Sequence, residues 1–288
     1  MVAMTDRFYS TMRMRYVGRM LGEWRGRAGL TGDVVAERLN WARSKISKLE
    51  NASQTITPAD VISMAVVYGV SEAERDELVE EVQHATERGW WLSYGDAVTA
   101  KQFDRYVDFE SEAVSLINFE IDLIPGLLQT EDYVRAIAHA FTPSADQAQI
   151  QHRVELRKRR QARLFADQPI EFDAVVNEAA LRQLVGGRDV MRTQLKHLGR
   201  IAHLPNVSIR MIPSGVGAYP AMGRPFVLLS FDRPEWLDVA YQENLNSCIY
   251  VEDPEEVAQY TACYTGLCER ALSKGDTLQA IETLAGGL

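Results

Sequence analysis

Cysteine is scarce in this chain: three in 288 residues, an odd number, and none in a C-x-x-C arrangement. That argues against both a disulfide framework and a zinc ribbon, so Cys248, Cys263 and Cys268 read as reduced thiols, the last two on a helix. No apolar run approaches the ~18 to 20 residues of a membrane span, and the opening "MVAMTDRFYSTMRMRYVGRM" lacks the continuous apolar core of a signal peptide. The expectation is a cytoplasmic protein with no membrane contact. Catalytic signatures are missing as well. The five histidines are scattered without H-E-x-x-H spacing, and no G-x-S-x-G, Walker loop or G-x-G-x-x-G occurs. No metal site and no cofactor is expected, and an enzyme is the minority reading.

What the chain does have is lopsided charge. Its formal net charge is -9, yet through residue 70 ten Lys/Arg stand against six Asp/Glu, while the rest carries 21 against 34. Exposed charges more than about 8 to 10 Å apart are largely screened at physiological salt, so a polyanion responds to the local face and not to the total. At 46% apolar and 25% charged, the composition is that of an ordinary globular protein, with length for one small and one large domain. The boundary is placed at residue 88, giving domains 1–88 and 89–288.

The stretch "VVAERLNWARSKISKLENA", residues 34 to 52, contains the parts of a helix-turn-helix. Val35, Leu39, Trp41, Ile46 and Leu49 fall where apolar anchors belong, and Ala36 is the small residue at the helix crossing. Asn40 occupies the turn, where it tolerates a left-handed backbone nearly as well as glycine. With Ile46 and Leu49 inward at i, i+3, the side chains of Arg43, Ser44, Lys45, Ser47 and Lys48 project outward. That face has three cations, two hydroxyls and no acid. The flanks complete a five-helix, all-α domain. An amphipathic helix over 15 to 28 stops at Gly29, Thr31 caps the second, and Thr57, Pro58 and Asp60 supply a cap, an N1 proline and an N3 acid. Gly69 ends the fourth helix, and Ser71 with Glu74 boxes the start of an acidic fifth with Leu78 and Val82 inward. The bland alternative is a helical bundle with charged faces.

The run "RLNWARSKISKLENASQTITPADVISMAVVYGV" resembles the Cro/repressor-like (XRE-type) helix-turn-helix, over about residues 13 to 70. The resemblance implies binding to double-stranded DNA, with Arg43, Ser44 and Lys48 at base edges and Lys45 and Asn51 nearer phosphates. The DNA-facing set is then Thr31, Arg43, Ser44, Lys45, Ser47, Lys48 and Asn51. The sequence departs from the family at Gly32, where a glutamine is common, and at Ala42, which replaces a hydroxyl cap. The first removes a phosphate contact and the second costs roughly 0.5 to 2 kcal/mol of helix stability.

Beyond residue 88 the paired Trp90 and Trp91 suggest a packed interdomain junction, since a flexible linker is rich in Gly and Ser. The pattern then predicts a helix to about residue 114, an extended apolar stretch broken at Pro125-Gly126, a helix capped by Thr130 and a long helix over 145 to 165. A strand follows at 170 to 177, then helices from Glu178 and Asp189. Four short meandering strands (206–213, 225–231, 236–243, 247–252) and a closing helix over 253 to 272 complete an α+β domain. "LIPGLLQTEDYVRA", "RKRRQARL", "NEAALRQLVGG", "LPNVSIRMIP", "GRPFVLLSF" and "YVEDPEEVAQY" together resemble the domain that follows a helix-turn-helix in actinobacterial regulators of the WhiJ type, over about 95 to 275. That resemblance implies a developmental or secondary-metabolism regulator encoded beside a small acidic partner protein.

Three features of this domain invite a choice. The Gly pair of "LVGGRDV" reads as a helix-entry turn before an anion cup. The Gly- and Pro-rich loop around Tyr219 and Met222 either lines a cavity or partner site or is a structured hairpin entry. The basic helix with Arg153, Arg157, Lys158, Arg159, Arg160 and Arg163 reads as a solvated face paired with surplus carboxylates, ahead of a second DNA contact or a dock for the acidic partner. The reading as a whole is a cytoplasmic, nucleoid-associated transcriptional regulator, homodimeric because such domains read half-sites about one helical turn apart. Its second domain senses a small ligand or an acidic partner. The alternatives are an interaction module whose helix-turn-helix no longer reads DNA, and an enzyme fused to a DNA-binding domain.

Overall fold

Helix ends in the first part of the chain are written in its short polar side chains. Thr11 accepts from the Met14 amide and opens α1, Met12–Arg27, three residues ahead of the expected start. Thr31 caps α2, Gly32–Leu39, which terminates at Asn40 with φ 52° and ψ 43°, the left-handed turn foreseen for it. α3 spans Arg43–Glu50 with no side-chain cap at Ala42. Thr57 and Asp60 cap each other's backbone at the start of α4, Pro58–Tyr68, and Ser71 and Glu74 do the same before α5, Glu72–Arg88. The computed structural model describes residues 10–88, 103–233, 236–245 and 247–288. Trp90 and Trp91 lie outside the described residues.

The chain divides into two compact units, Met1–Ser93 and Tyr94–Leu288. In the first, Val17, Leu21 and Trp24 of α1 meet Val35, Ile46, Leu49, Met64, Leu78 and Val82 in one core drawn from all five helices. Gly18 lets α1 come against the end of α3: a Cβ there would stand 2.7 Å from the Glu50 carbonyl oxygen.

The second unit begins with α6, Phe103–Glu112, and is organised on a six-stranded sheet. In chain order its strands are β1 Ser115–Glu120, β2 Glu171–Asn177, β3 Val207–Ile212, β4 Phe226–Ser230, β5 Val239–Glu243 and β6 Cys248–Val251. The spatial order is β3-β2-β1-β4-β5-β6. β1 and β2 pair in parallel, as do β2 and β3; the other pairs are antiparallel. The first crossover contains a 3-10 turn, Gly126–Leu128, then α7, Glu131–Phe141, and α8, Gln147–Gln161; the second contains α9, Glu178–Arg182, and α10, Arg188–Ile201. On one face Phe119, Val175, Ile212, Phe226, Leu228 and Ala240 pack with Val257 and Leu267 of α11, Pro254–Arg270. A last helix, α12, spans Lys274–Gly287.

Fold class is therefore α+β in the sense expected, an all-helical unit followed by a mixed one, but several details differ. The meander has three strands, not four: β3 sits at the far edge, paired to β2, because strand–helix–strand crossovers make the first three strands parallel. The apolar stretch after α6 is the central strand. α8 gives way to a 3-10 turn, Ala162–Phe165, and the helix that closes at Arg270 is followed by α12, capped by Ser273. Thr130 stands at the cap of α7 without a side-chain cap bond; its amide donates instead to Gln194 Oε1 at 2.7 Å. Gly186 and Gly187, at φ 70° and 91°, make the helix-entry turn before α10.

The basic helix α8 pairs with carboxylates as expected, and Lys158 and Arg159 are exposed, but the face is not solvated throughout. Arg160 is buried and bonds Glu110 of α6 through two nitrogens at 2.6 and 2.7 Å. Arg163, just beyond α8, donates to the Ser111 and Ala113 carbonyls, and Lys158 pairs with Glu131 on α7. Long side chains with apolar stems bury readily once each nitrogen finds an acceptor, which a string of basic letters does not reveal.

Candidate nucleic-acid interface

α2, the Asn40 turn and α3 form the helix-turn-helix. The Trp41 amide returns to the Ala36 carbonyl at 2.9 Å, closing the turn. Val35, Ala36, Ile46 and Leu49 are buried, while Leu39 and Trp41 pack half-buried against the same core. These six hold α3 so that its opposite side faces out. Arg43, Ser44, Ser47 and Lys48 are exposed there, with Asn51 at the C-cap and Thr31 at the start of α2.

Several of these side chains are already engaged. Asn51 Nδ2 donates to the Ser47 carbonyl at 2.8 Å, tying it to its own helix. Arg43 Nε lies 2.7 Å from Asp33 Oδ1, a pair in which both side chains are about two-thirds exposed. Lys45 Nζ lies 2.7 Å from Asp60 Oδ1 and 3.6 Å from the centroid of the Trp41 ring. Asp60 is largely buried at the head of α4; burial works against its charge, yet the Lys45 and Thr57 hydrogen bonds prevail and hold its carboxyl below the ordinary value. So α3 itself carries no acid on its outer face, but α2 and α4 each extend one to it. The sequence of α3 alone does not reveal Asp33 and Asp60 as partners, because both lie outside that helix.

Beside this face, a cleft of about 330 Å³ opens between the end of α1, the start of α2 and α3, lined among others by Thr31, Gly32, Arg43 and Ser47. Its inner wall is an Arg25–Glu50 pair at 2.7 and 2.9 Å that ties α1 to α3. Gly32 leaves the mouth open: a Cβ there would meet only Arg43 Nε, at 3.9 Å.

This geometry defines a helix-turn-helix protein, and a family profile described as a helix-turn-helix domain matches residues 17–78. The second unit is matched over residues 103–283 by the domain of unknown function DUF5753, and the chain belongs to that family. No curated protein and no solved structure matches the chain. Among the described residues, no helix is long and apolar enough to cross a membrane.

Proposed function

We propose that the protein is a sequence-specific DNA-binding transcriptional regulator that reads the major groove with α3. The observation that carries this reading is an exposed Arg43, Ser44, Ser47 and Lys48 on the side of α3 opposite its buried Ile46 and Leu49. Arg43 spends its Nε on Asp33, which leaves the two terminal nitrogens as the fork that matches guanine O6 and N7. A backbone phosphate is received at the cleft mouth, which Thr31 and Gly32 at the start of α2 line beside Arg43. The regulator works in the cytoplasm on the nucleoid, as a homodimer on paired half-sites. It is of the actinobacterial WhiJ-type class that its sequence blocks resemble. The DUF5753 unit acts as a sensor for a small ligand or a small acidic partner and not as a catalyst.

A gel shift over a salt series tests this against the interaction-module reading, which the Asp33 and Asp60 pairs favour by occupying two of the face's cations. Reading by α3 predicts that log affinity falls linearly with log salt and that one sequence outcompetes bulk DNA. Absence of any salt-dependent shift from 50 to 200 mM, roughly the range over which phosphate contacts show themselves, leaves docking as the function.

A further inference from the structure

The fold consumes part of its helix-borne charge and leaves two bands of opposite sign exposed. On α8 Arg160 is taken by Glu110 and Lys158 by Glu131. α10 is different. Met191, Gln194, Leu195, Leu198 and Ile201 turn one side of it inward, and Arg188, Arg192, Lys196 and Arg200 follow one another on the other side at steps of four residues. Arg192 is engaged by Asp189 and by the Leu288 carbonyl. Arg188, Lys196 and Arg200 are exposed and make no ion pair among the described residues. Four residues advance a helix by about 6 Å, so the band runs for about 18 Å. It stands out in a unit where, from residue 94 on, 27 Asp/Glu face 19 Lys/Arg.

α5 carries the opposite band. On its inner side Glu81 is buried against Arg13 at 2.6 Å, and Glu74 is held by Arg27. Outward, Glu72, Asp76 and Glu80 are exposed at the same four-residue step, with Glu77 beside them. Asp76 meets only its neighbour Arg75 in an ion pair; Glu72, Glu77 and Glu80 have none among the described residues. The two bands therefore share a repeat and differ in sign.

Like charge bars each band from a copy of itself, because α10 against α10 or α5 against α5 sets charges of one sign face to face. A two-fold pair has another solution: a surface of one copy meets a different surface of the second, and the contact is returned. We propose that two copies of the chain join crosswise, α5 of each on α10 of the other, with Glu72, Asp76 and Glu80 facing Arg188, Lys196 and Arg200. This deepens, and rests on, the homodimer reading by naming the surfaces that meet. A DNA duplex is a poorer occupant of α10, since it is broader than one helix and also faces the carboxylate surplus of the same unit. Exposed ion pairs are individually weak and screened by salt. The two-fold doubles their number, and DNA that holds two copies on adjacent half-sites raises their effective concentration.

The test is sedimentation of the full chain without DNA. The wild type associates to a dimer whose dissociation constant rises at least about tenfold between about 50 and 300 mM salt. Arg188→Glu with Lys196→Glu, and separately Glu72→Lys with Glu80→Lys, each raise that constant at least about tenfold, since the facing bands then repel. An equimolar mixture of the two variants associates again, because each reversed band finds its complement on the other chain. A chain with all four changes keeps the net charge of -9 and associates like the wild type. Should a reversed variant lose its fold, by unfolding midpoint, Lys196→Gln and Glu80→Gln each remove one charge from a band and still weaken association. Reversed variants that pair as tightly as the wild type, or a mixture that stays apart, overturn the crossed contact and leave a homodimer joined elsewhere. A wild type that is monomeric at about 100 μM overturns it too; the homodimer reading itself falls only if cooperativity at paired half-sites is also absent.

Discussion

Arg43 and Lys45 are two letters apart on one helix and answer to different acids, so they do different work. Arg43 meets an exposed Asp33, a pair that adds little to stability because water screens it. Its value is orientation. Arg43→Ala is expected to cost about 1 to 3 kcal/mol on the preferred site and to relax preference at one base pair. Asp33→Ala should leave the unfolding midpoint unmoved, raise affinity for unrelated DNA and lower discrimination at that same base pair. Competition binding on single-base operator variants reads both; undiminished discrimination in Asp33→Ala removes Asp33 from recognition. Lys45 instead closes on a largely buried Asp60. Lys45→Ala is expected to lose about 1 to 2 kcal/mol, limited by the part of Lys45 that stays in water. With Asp60 held below 3.8 in the folded state, the Lys45 contribution is complete above the ordinary carboxylate value and disappears as pH falls through the depressed one. Acid unfolding should therefore begin at higher pH in Lys45→Ala, and identical acid limbs in the two proteins contradict the pairing.

Elements announced themselves where their determinants are local and concealed themselves where they are not. Asn40 ends α2, Thr57 and Asp60 box α4, and Ser71 and Glu74 box α5, all within four residues of chain, and all were legible. Thr130 was readable as a helix start, but the acceptor that its amide uses belongs to Gln194, 64 residues away. β1 looked like an apolar stretch because its partners, β2 and β4, are remote, and parallel pairing leaves no hairpin signal. The burial of Arg160 on α8 was concealed for the same reason: Glu110 is 50 residues from Arg160. The reading face of α3 was visible from i, i+3 spacing alone, whereas the acids that hold Arg43 and Lys45 come from neighbouring helices. The α6–α8 pair gives a direct check on this remote coupling. Arg160→Met strands a carboxylate that is 2% exposed, and the loss should be roughly 3 to 5 kcal/mol in urea unfolding. Glu110→Leu added to it should recover much of that loss, since removing both charges ends the desolvation cost. A double variant no more stable than the single one means that the pair contributes shape and not charge.

For the whole molecule the question is how a chain of net charge -9 holds a polyanion. Through residue 70 the balance favours Lys/Arg by ten to six, and beyond it Asp/Glu lead by 34 to 21. Only charges within about a Debye length, roughly 8 Å at physiological salt, act strongly on a bound phosphate, so α3 sets the contact and the acidic remainder sets a long-range field that grows as salt is removed. The two contributions separate by truncation. A fragment ending at Ser93, the edge of the first compact unit, should bind unrelated DNA at low salt at least as tightly as the full chain, because 27 of the 34 carboxylates beyond residue 70 have gone. Its slope of log affinity against log salt should match that of the full chain, since the slope counts phosphates neutralised and those are met by the same face. At paired half-sites the fragment is expected to lose cooperativity, which makes the second unit necessary to the joining of two copies of the proposed homodimer; a fragment that keeps it assigns the joining to the first. Fluorescence anisotropy at two salt concentrations, on one half-site and on two, measures all three quantities. A fragment that binds more weakly at low salt, with a shallower slope, means that phosphates are also met by the DUF5753 unit, and the acidic remainder is then part of the interface and not a field opposing it.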